Sequence, residues 1–147
     1  MNKIIKISAV LLIGILYTVN ASKLFAEITF NGAFKRNQMD MIAKGTDAQM
    51  WVGSHVAQNK TSEGVTVNIR NICTMSKTLI NCTTEAIDSD GDTYISSASG
   101  KIKEELRYMT LLSGTGKYAD RVGNKGEYIL GVFDREKGYG NFSGKWY

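Results

Sequence analysis

The two cysteines are the residues of this chain with the most definite chemistry. If the sequence turns at Lys77 and Thr78, Cys73 and Cys82 lie opposite each other on neighbouring strands of a hairpin. Directly opposed residues have Cβ atoms about 4.5 to 5.5 Å apart, which a disulfide can bridge after a small relaxation. A metal site is the alternative, but two cysteines and the single His55 do not complete a four-ligand shell. We therefore predict a Cys73–Cys82 disulfide and no metal.

An acidic segment, Asp88-Ser89-Asp90-Gly91-Asp92, has the oxygen-rich composition of a calcium loop. An EF-hand loop needs glycine at its sixth position and a bidentate glutamate at its twelfth, whereas Gly91 is fourth here and Ser99 is twelfth. Asp-Gly between two strands is typical of a hairpin turn. The segment is predicted to be a turn.

The glycine-rich segment Gly114-Thr115-Gly116-Lys117 resembles part of a phosphate-binding loop. That loop needs four residues between its glycines and a serine or threonine after the lysine, a place that Tyr118 occupies here. The segment therefore predicts no nucleotide site.

Side chains that could catalyse a reaction are few. The single imidazole, His55, adjoins Ser54 and cannot readily act as its base, so we interpret it as an ordinary strand residue. Sequence alone cannot pair the glutamates that a glycosidase would use. We predict no catalytic residue and no cofactor, and binding is favoured over catalysis. The glutamates considered are Glu63, Glu85, Glu104, Glu105 and Glu127.

The beginning of the chain has the pattern of a secretory signal peptide. Lys3 and Lys6 precede an apolar run over residues 7–19, which is shorter than the ~20 residues of a spanning helix. Small residues favour cleavage after Ala21, with cleavage after Ala26 or a retained anchor as alternatives. We predict a signal peptide over 1–21, a single domain over 22–147, and export to the periplasm or the medium, where disulfides form.

The charge of the chain does not indicate a nucleic-acid partner. The formal net charge is +4, and Lys3 and Lys6 of the predicted signal contribute to it. Most other basic residues have acidic neighbours, as on a solvated surface.

The predicted strands are short, closely spaced and separated by glycines, in a chain without proline. The clearest alternation is in the hairpin, where residues 65–73 and 79–87 each present one apolar face. Residues 36–45 are ambiguous between a helical turn and an irregular connection, and Gly53 is a candidate bulge. The other predicted strands are 27–34, 49–57, 93–97, 106–112, 127–134 and 139–147. The pattern predicts an all-β domain of about eight antiparallel strands.

Residues 80–147 carry an ordered set of motifs, from Cys82 and the Asp-Gly turn through Gly114-Thr-Gly-Lys-Tyr-Ala to a closing Gly144-Lys-Trp-Tyr. This order resembles a group of small exported bacterial proteins, which in turn resemble the barrel of allene oxide cyclases and dirigent proteins. This chain departs from the usual pattern of these proteins at Ser113 and Asp120, where they commonly have glycine. It implies a calycin-like antiparallel barrel of about eight strands with a hydrophobic interior, often oligomeric. Its turn motif comprises Gly114, Gly116, Tyr118, Gly123 and Gly126.

Three functions are compatible with such a barrel. The first is binding of a small apolar ligand in the interior, for which we predict Trp51, Tyr108, Tyr128 and Phe133 as lining residues. The second, implied by the resemblance, is a dirigent-like or cyclase-like isomerase. The third is a protein-binding or inhibitory module that uses the loops or the aromatic C-terminus. The resemblance makes a homo-oligomer possible, but the sequence does not determine the oligomeric state.

Overall fold

The computed structural model describes residues 26–147, which contain eight antiparallel strands that close into one barrel in sequence order. The predicted all-β, eight-stranded barrel is confirmed. The predicted signal peptide lies outside the described residues. The strands are β1 Ile28–Ile42, β2 Met50–Thr61, β3 Thr66–Met75, β4 Leu79–Asp88, β5 Thr93–Lys101, β6 Leu106–Gly114, β7 Lys125–Asp134 and β8 Tyr139–Trp146, with a short 3-10 helix, Gly116–Arg121, between β6 and β7.

The β3–β4 hairpin has the register that its alternation predicts. Cys73 is paired with Cys82 and Ile69 with Ala86, so both apolar faces point into the barrel. The Ser76 amide donates to the Leu79 carbonyl at 2.9 Å and closes the turn. Because the side-chain period of a strand is two, this register fixes which residues face the interior across a quarter of the barrel.

β1 is longer than the sequence indicates. Residues 36–42 are not a turn but continue the strand past a bulge between Arg36 and Gln38, whereas Gly53 on β2 lies in regular register. The extra residue of a bulge shifts the alternation by one, which is why the apolar pattern is lost here. The pairing of β1 with β8 ends at Lys35. Beyond Lys35, β1 is therefore paired with β2 alone.

The two ends of the barrel differ. The 3-10 helix and the β2–β3 and β4–β5 loops lie at one end, which we call the capped end. At this end the Tyr118 ring packs on the Tyr94 ring at 4.8 Å, and Tyr94 meets Trp146 edge-on at 6.3 Å. The loops at the other end, which we call the open end, include no helix.

Candidate functional site

The interior of the barrel contains a cavity of about 200 Å³. Residues from every strand line it, and aromatic or aliphatic side chains supply most of its surface. An apolar cavity of ~150 Å³ is large enough to bind benzene, so this one has room for a ring-sized molecule. The lining residues are Phe30, Phe34, Met39, His55, Asn59, Ile69, Asn71, Cys73, Met75, Ile80, Cys82, Thr84, Tyr94, Ser96, Ala98, Met109, Tyr128, Leu130, Phe133, Phe142 and Trp146.

Aromatic rings from β1, β7 and β8 form one wall of the cavity. Phe34 packs on Phe133 at 5.4 Å and on Phe142 at 6.5 Å, and Phe142 contacts Tyr128 edge-on at 6.2 Å. Phe30 joins the same group through Phe142. Tilted and edge-on rings of this kind offer a flat apolar surface with favourable contacts for another ring.

Polar side chains form a row on the other side of the cavity. His55, Asn71, Thr84 and Ser96 occupy directly paired positions on β2, β3, β4 and β5. The Thr84 hydroxyl donates to the Asn71 side-chain carbonyl at 2.6 Å. The interior therefore has one aromatic face and one face that can hydrogen-bond a ligand.

His55 is the lining residue that titrates nearest neutrality. Its imidazole meets the Phe34 ring edge-on at 5.8 Å. Burial, reinforced by the positive charge of Arg36, lowers the pKa of His55 below its ordinary value of 6.5. The ring is therefore neutral at pH 7, with one nitrogen able to donate a hydrogen bond and the other able to accept one.

The Cys73–Cys82 disulfide lies inside the barrel and lines the cavity. The bond is present as predicted, with the two Cα atoms 4.0 Å apart, and both cysteines are buried. It joins β3 to β4 beside Ala98 and Met109 in one packed cluster.

The acidic turn and the glycine-rich segment are brought together at the capped end. The Lys117 ammonium lies 2.9 Å from the Asp88 carboxylate and also binds Asp90. The Lys117 amide donates to Asp92 at 3.1 Å. At Gly116, where φ is +49°, a Cβ would overlap the Asp92 carboxylate. Residues 88–92 and 114–117 thus form one structural unit, which we call the clasp.

Burial of Asp88 acts to raise its pKa, but hydrogen bonds from Lys117 and from the Asp90 amide outweigh it. The pKa of Asp88 therefore lies below its ordinary value. Burial and the nearby Asp88 carboxylate raise the pKa of both Tyr94 and Tyr118. Both phenols stay neutral at pH 7.

The other glycines of the predicted turn motif have separate roles. Gly114 ends β6 against Tyr118, and Gly123 adopts φ +91° after the 3-10 helix. A Cβ at Gly126, on β7, would come within 2.8 Å of the Trp146 ring. Gly126 therefore allows Trp146 to pack into the interior.

Arg107 brings a charge into the wall of the barrel without placing it in the cavity. The residue is buried, and Nη1 donates to the carbonyl of Leu106 at 2.9 Å and to that of Glu104. Its side chain packs over Gly100 and is not part of the lining. Arg107 thereby holds the β5–β6 loop.

The predicted lining residues divide into two pairs. Tyr128 and Phe133 line the cavity, whereas Trp51 and Tyr108 do not, which corrects the prediction for these two. Tyr108 points outward, with 58% of its surface exposed, because the neighbouring Arg107 and Met109 face inward. Trp51 is 36% exposed and lies at the open end of the barrel, where β2 begins.

Several lining residues are not among those predicted from the sequence, namely His55, interpreted as an ordinary strand residue, Asn59 and Ser96. Alternation along β2 would have placed His55 and Asn59 on one face, but polar residues are normally assigned to the outside of a strand. Within residues 26–147, no group of three or more His, Cys, Asp or Glu side chains could hold a metal. No helix of this part of the chain is long and apolar enough to cross a membrane.

No protein-family model and no curated protein matches the chain. Among solved structures it is similar to the pterocarpan synthase dirigent protein GePTS1, with 17% sequence identity, a TM-score of 0.58, and coverage of 82% of this chain and 86% of that one. It is also similar to the pterocarpan synthase dirigent protein PsPTS1, with 16% identity, a TM-score of 0.56, and coverage of 84% and 94%.

These similarities define the class of fold. The chain forms a dirigent-type antiparallel barrel, so the resemblance seen in its motifs is confirmed for the fold. One barrel type supports many functions, so function has to be argued from the cavity.

Proposed function

We propose that this protein is an exported carrier or receptor that binds one small, uncharged, apolar molecule inside the barrel. The observation that supports the proposal is the interior cavity of about 200 Å³ with its wall of packed aromatic rings. Voids larger than a water molecule are few in well-packed interiors. Ligand sites, by contrast, are typically apolar cavities with a small number of polar groups.

The charge of the lining supports an uncharged ligand. None of the described residues that line the cavity is Asp, Glu, Lys or Arg, and His55 is neutral at pH 7. A charged ligand would lose its hydration in this interior without gaining an ion pair. The internal disulfide and the predicted signal peptide agree with export.

A cavity-filling substitution tests the proposal. Ala98 is buried against the cavity on β5, and Ser99 follows it on the outer face of the same strand. We expect toluene to shift the ¹H–¹⁵N resonances of lining residues such as Ser96 in the wild type and in Ser99→Leu, but not in Ala98→Leu. Shifts that persist in Ala98→Leu would place toluene elsewhere and contradict the proposal.

A second candidate is an isomerase or cyclase of the dirigent-like kind. The row of polar side chains opposite the aromatic wall favours it, because such an interior can hold a reacting molecule in one orientation. His55 would be the residue to move a proton. If this is correct, a catalytic amount of the protein converts its own extracted ligand to a different isomer, and His55→Phe slows the conversion without abolishing binding. An unchanged NMR spectrum of the ligand after prolonged incubation would exclude this candidate.

A further inference from the structure

Asn59 is a buried polar residue at the inner part of the cavity. It lies on β2, toward the capped end, with 6% of its surface exposed. It lines the main cavity and also a smaller one of about 30 Å³ that lies against the 3-10 helix. Its side-chain oxygen, Oδ1, is buried and has no hydrogen-bond partner among residues 26–147.

The neighbours of Asn59 explain why the protein itself offers no partner. Gly32 on β1 and Val67 on β3 occupy the paired positions on either side of it, and neither has a polar side chain. A Cβ at Gly32 would come within 2.7 Å of the Asn59 Cβ and 2.6 Å of the Phe142 ring. The residues paired with Asn59 on the two neighbouring strands thus supply no hydrogen-bond donor to its oxygen.

A buried acceptor without a donor is costly, and most buried polar groups in folded proteins have a partner. A hydrogen-bond donor on the ligand would remove this cost at Asn59. Ser96 and Asn71 line the same cavity and could bind a second polar group on the ligand. The remaining surface is mostly aromatic or aliphatic, and its wall of aromatic rings suits a flat body.

We infer that Asn59 is the recognition residue of the cavity, and that the ligand is an uncharged ring compound that enters with an N–H or O–H donor foremost. The inference rests on the proposed function and adds a chemical class and an orientation to it. A cavity of about 200 Å³ limits the ligand to one ring or two fused rings, given that ~150 Å³ accommodates benzene.

Indole and 1-methylindole are suitable probes because they differ chiefly in the N–H donor. We expect calorimetry to show that the wild type binds indole at least about tenfold more tightly than 1-methylindole, since an unmet buried acceptor penalises the second probe. Asn59→Leu keeps a similar volume and removes the acceptor. This variant should therefore bind indole and 1-methylindole with about equal affinity. Asn31→Leu, the same substitution on the exposed face of β1, should keep it.

Equal affinities for the two probes in the wild type would overturn the inference, since they would mean that a water molecule already satisfies Asn59. A preference that survives in Asn59→Leu would overturn it too. If neither probe binds, this inference fails, and the toluene experiment then decides separately whether the proposed function fails with it.

Should Asn59→Leu not fold, the wild type provides a direct readout. The side-chain amide resonances of Asn59 should shift with indole and stay unchanged with 1-methylindole. The same shift with both probes would contradict a specific bond.

Discussion

The ammonium of Lys117 lies 2.9 Å from the carboxylate of Asp88, whose side chain exposes none of its surface. This pair joins the 3-10 helix to the end of β4 and closes one end of the barrel. The Thr93 amide donates to the Thr115 hydroxyl at 2.9 Å beside it. Two segments whose composition suggested calcium and phosphate sites thus act on each other instead.

Lys117→Met should destabilise the protein strongly, because it leaves Asp88 buried without its cation. Loss of one partner of a buried pair costs about 3 to 5 kcal/mol, and the partial exposure of Lys117 lowers our expectation to about 2 to 3 kcal/mol. The matched control is Lys137→Met, which removes an exposed pair with Asp134 at 3.6 Å. Urea unfolding should show at most a few tenths of a kcal/mol for the control, and equal losses in both variants would contradict the role of the clasp.

Asp88 should also make stability depend on pH in the acid range. Its folded-state pKa lies below the ordinary value of 3.8, so its contribution is complete at pH well above 3.8 and is lost as the pH falls through the folded-state pKa. Asp88→Asn should be less stable at neutral pH, and the gap to the wild type should close on acidification. Urea midpoints measured from pH 7 to pH 2.5 check this, and two parallel curves would disprove it.

Removing the disulfide should cost about 2 to 3 kcal/mol, as expected for a short closed loop. The variant is Cys73→Ala with Cys82→Ala, and unfolding is followed by circular dichroism in urea. Thr74→Ala with Asn81→Ala is the control, since these residues form the next cross-strand pair and point outward. If the cysteine variant is no less stable than this control, the bond does not stabilise the barrel.

Gly116→Ala should be more destabilising than the same change at Gly64, although both glycines have positive φ. A Cβ at Gly64 meets no atom of residues 26–147 within 4 Å, so only the backbone conformation is penalised, by about 1 kcal/mol. A Cβ at Gly116 overlaps Asp92 and should disturb the clasp in addition, for a total loss of about 2 to 4 kcal/mol. Similar melting temperatures for the two variants would show that the clasp adapts.

Much of the fold could be predicted because the strand signals were local. The hairpin that carries Cys73 and Cys82 alternates cleanly, and its register follows from the turn at Lys77 and Thr78. The continuation of β1 could not be predicted, because the bulge after Arg36 breaks the period of two in an already polar segment.

The site was harder to predict, for reasons that individual residues show. β6 is apolar on both faces, so the sequence could not tell that Met109 points inward and Tyr108 outward. Asn59 and His55 have the spacing of one face of β2, yet a polar residue inside a barrel is recognised only when the closed sheet shows what it faces.

Native mass spectrometry of the protein purified without refolding from the cells or medium of its own source tests the proposed ligand binding most directly. We expect a bound, uncharged small molecule in a one-to-one ratio, which is lost on denaturation and is absent from Ala98→Leu prepared in the same way. The proposed function would be contradicted if the wild type is detected without any bound molecule and takes up neither toluene nor indole when these are added. The loops and the outer face would then be the part of the protein to examine for function.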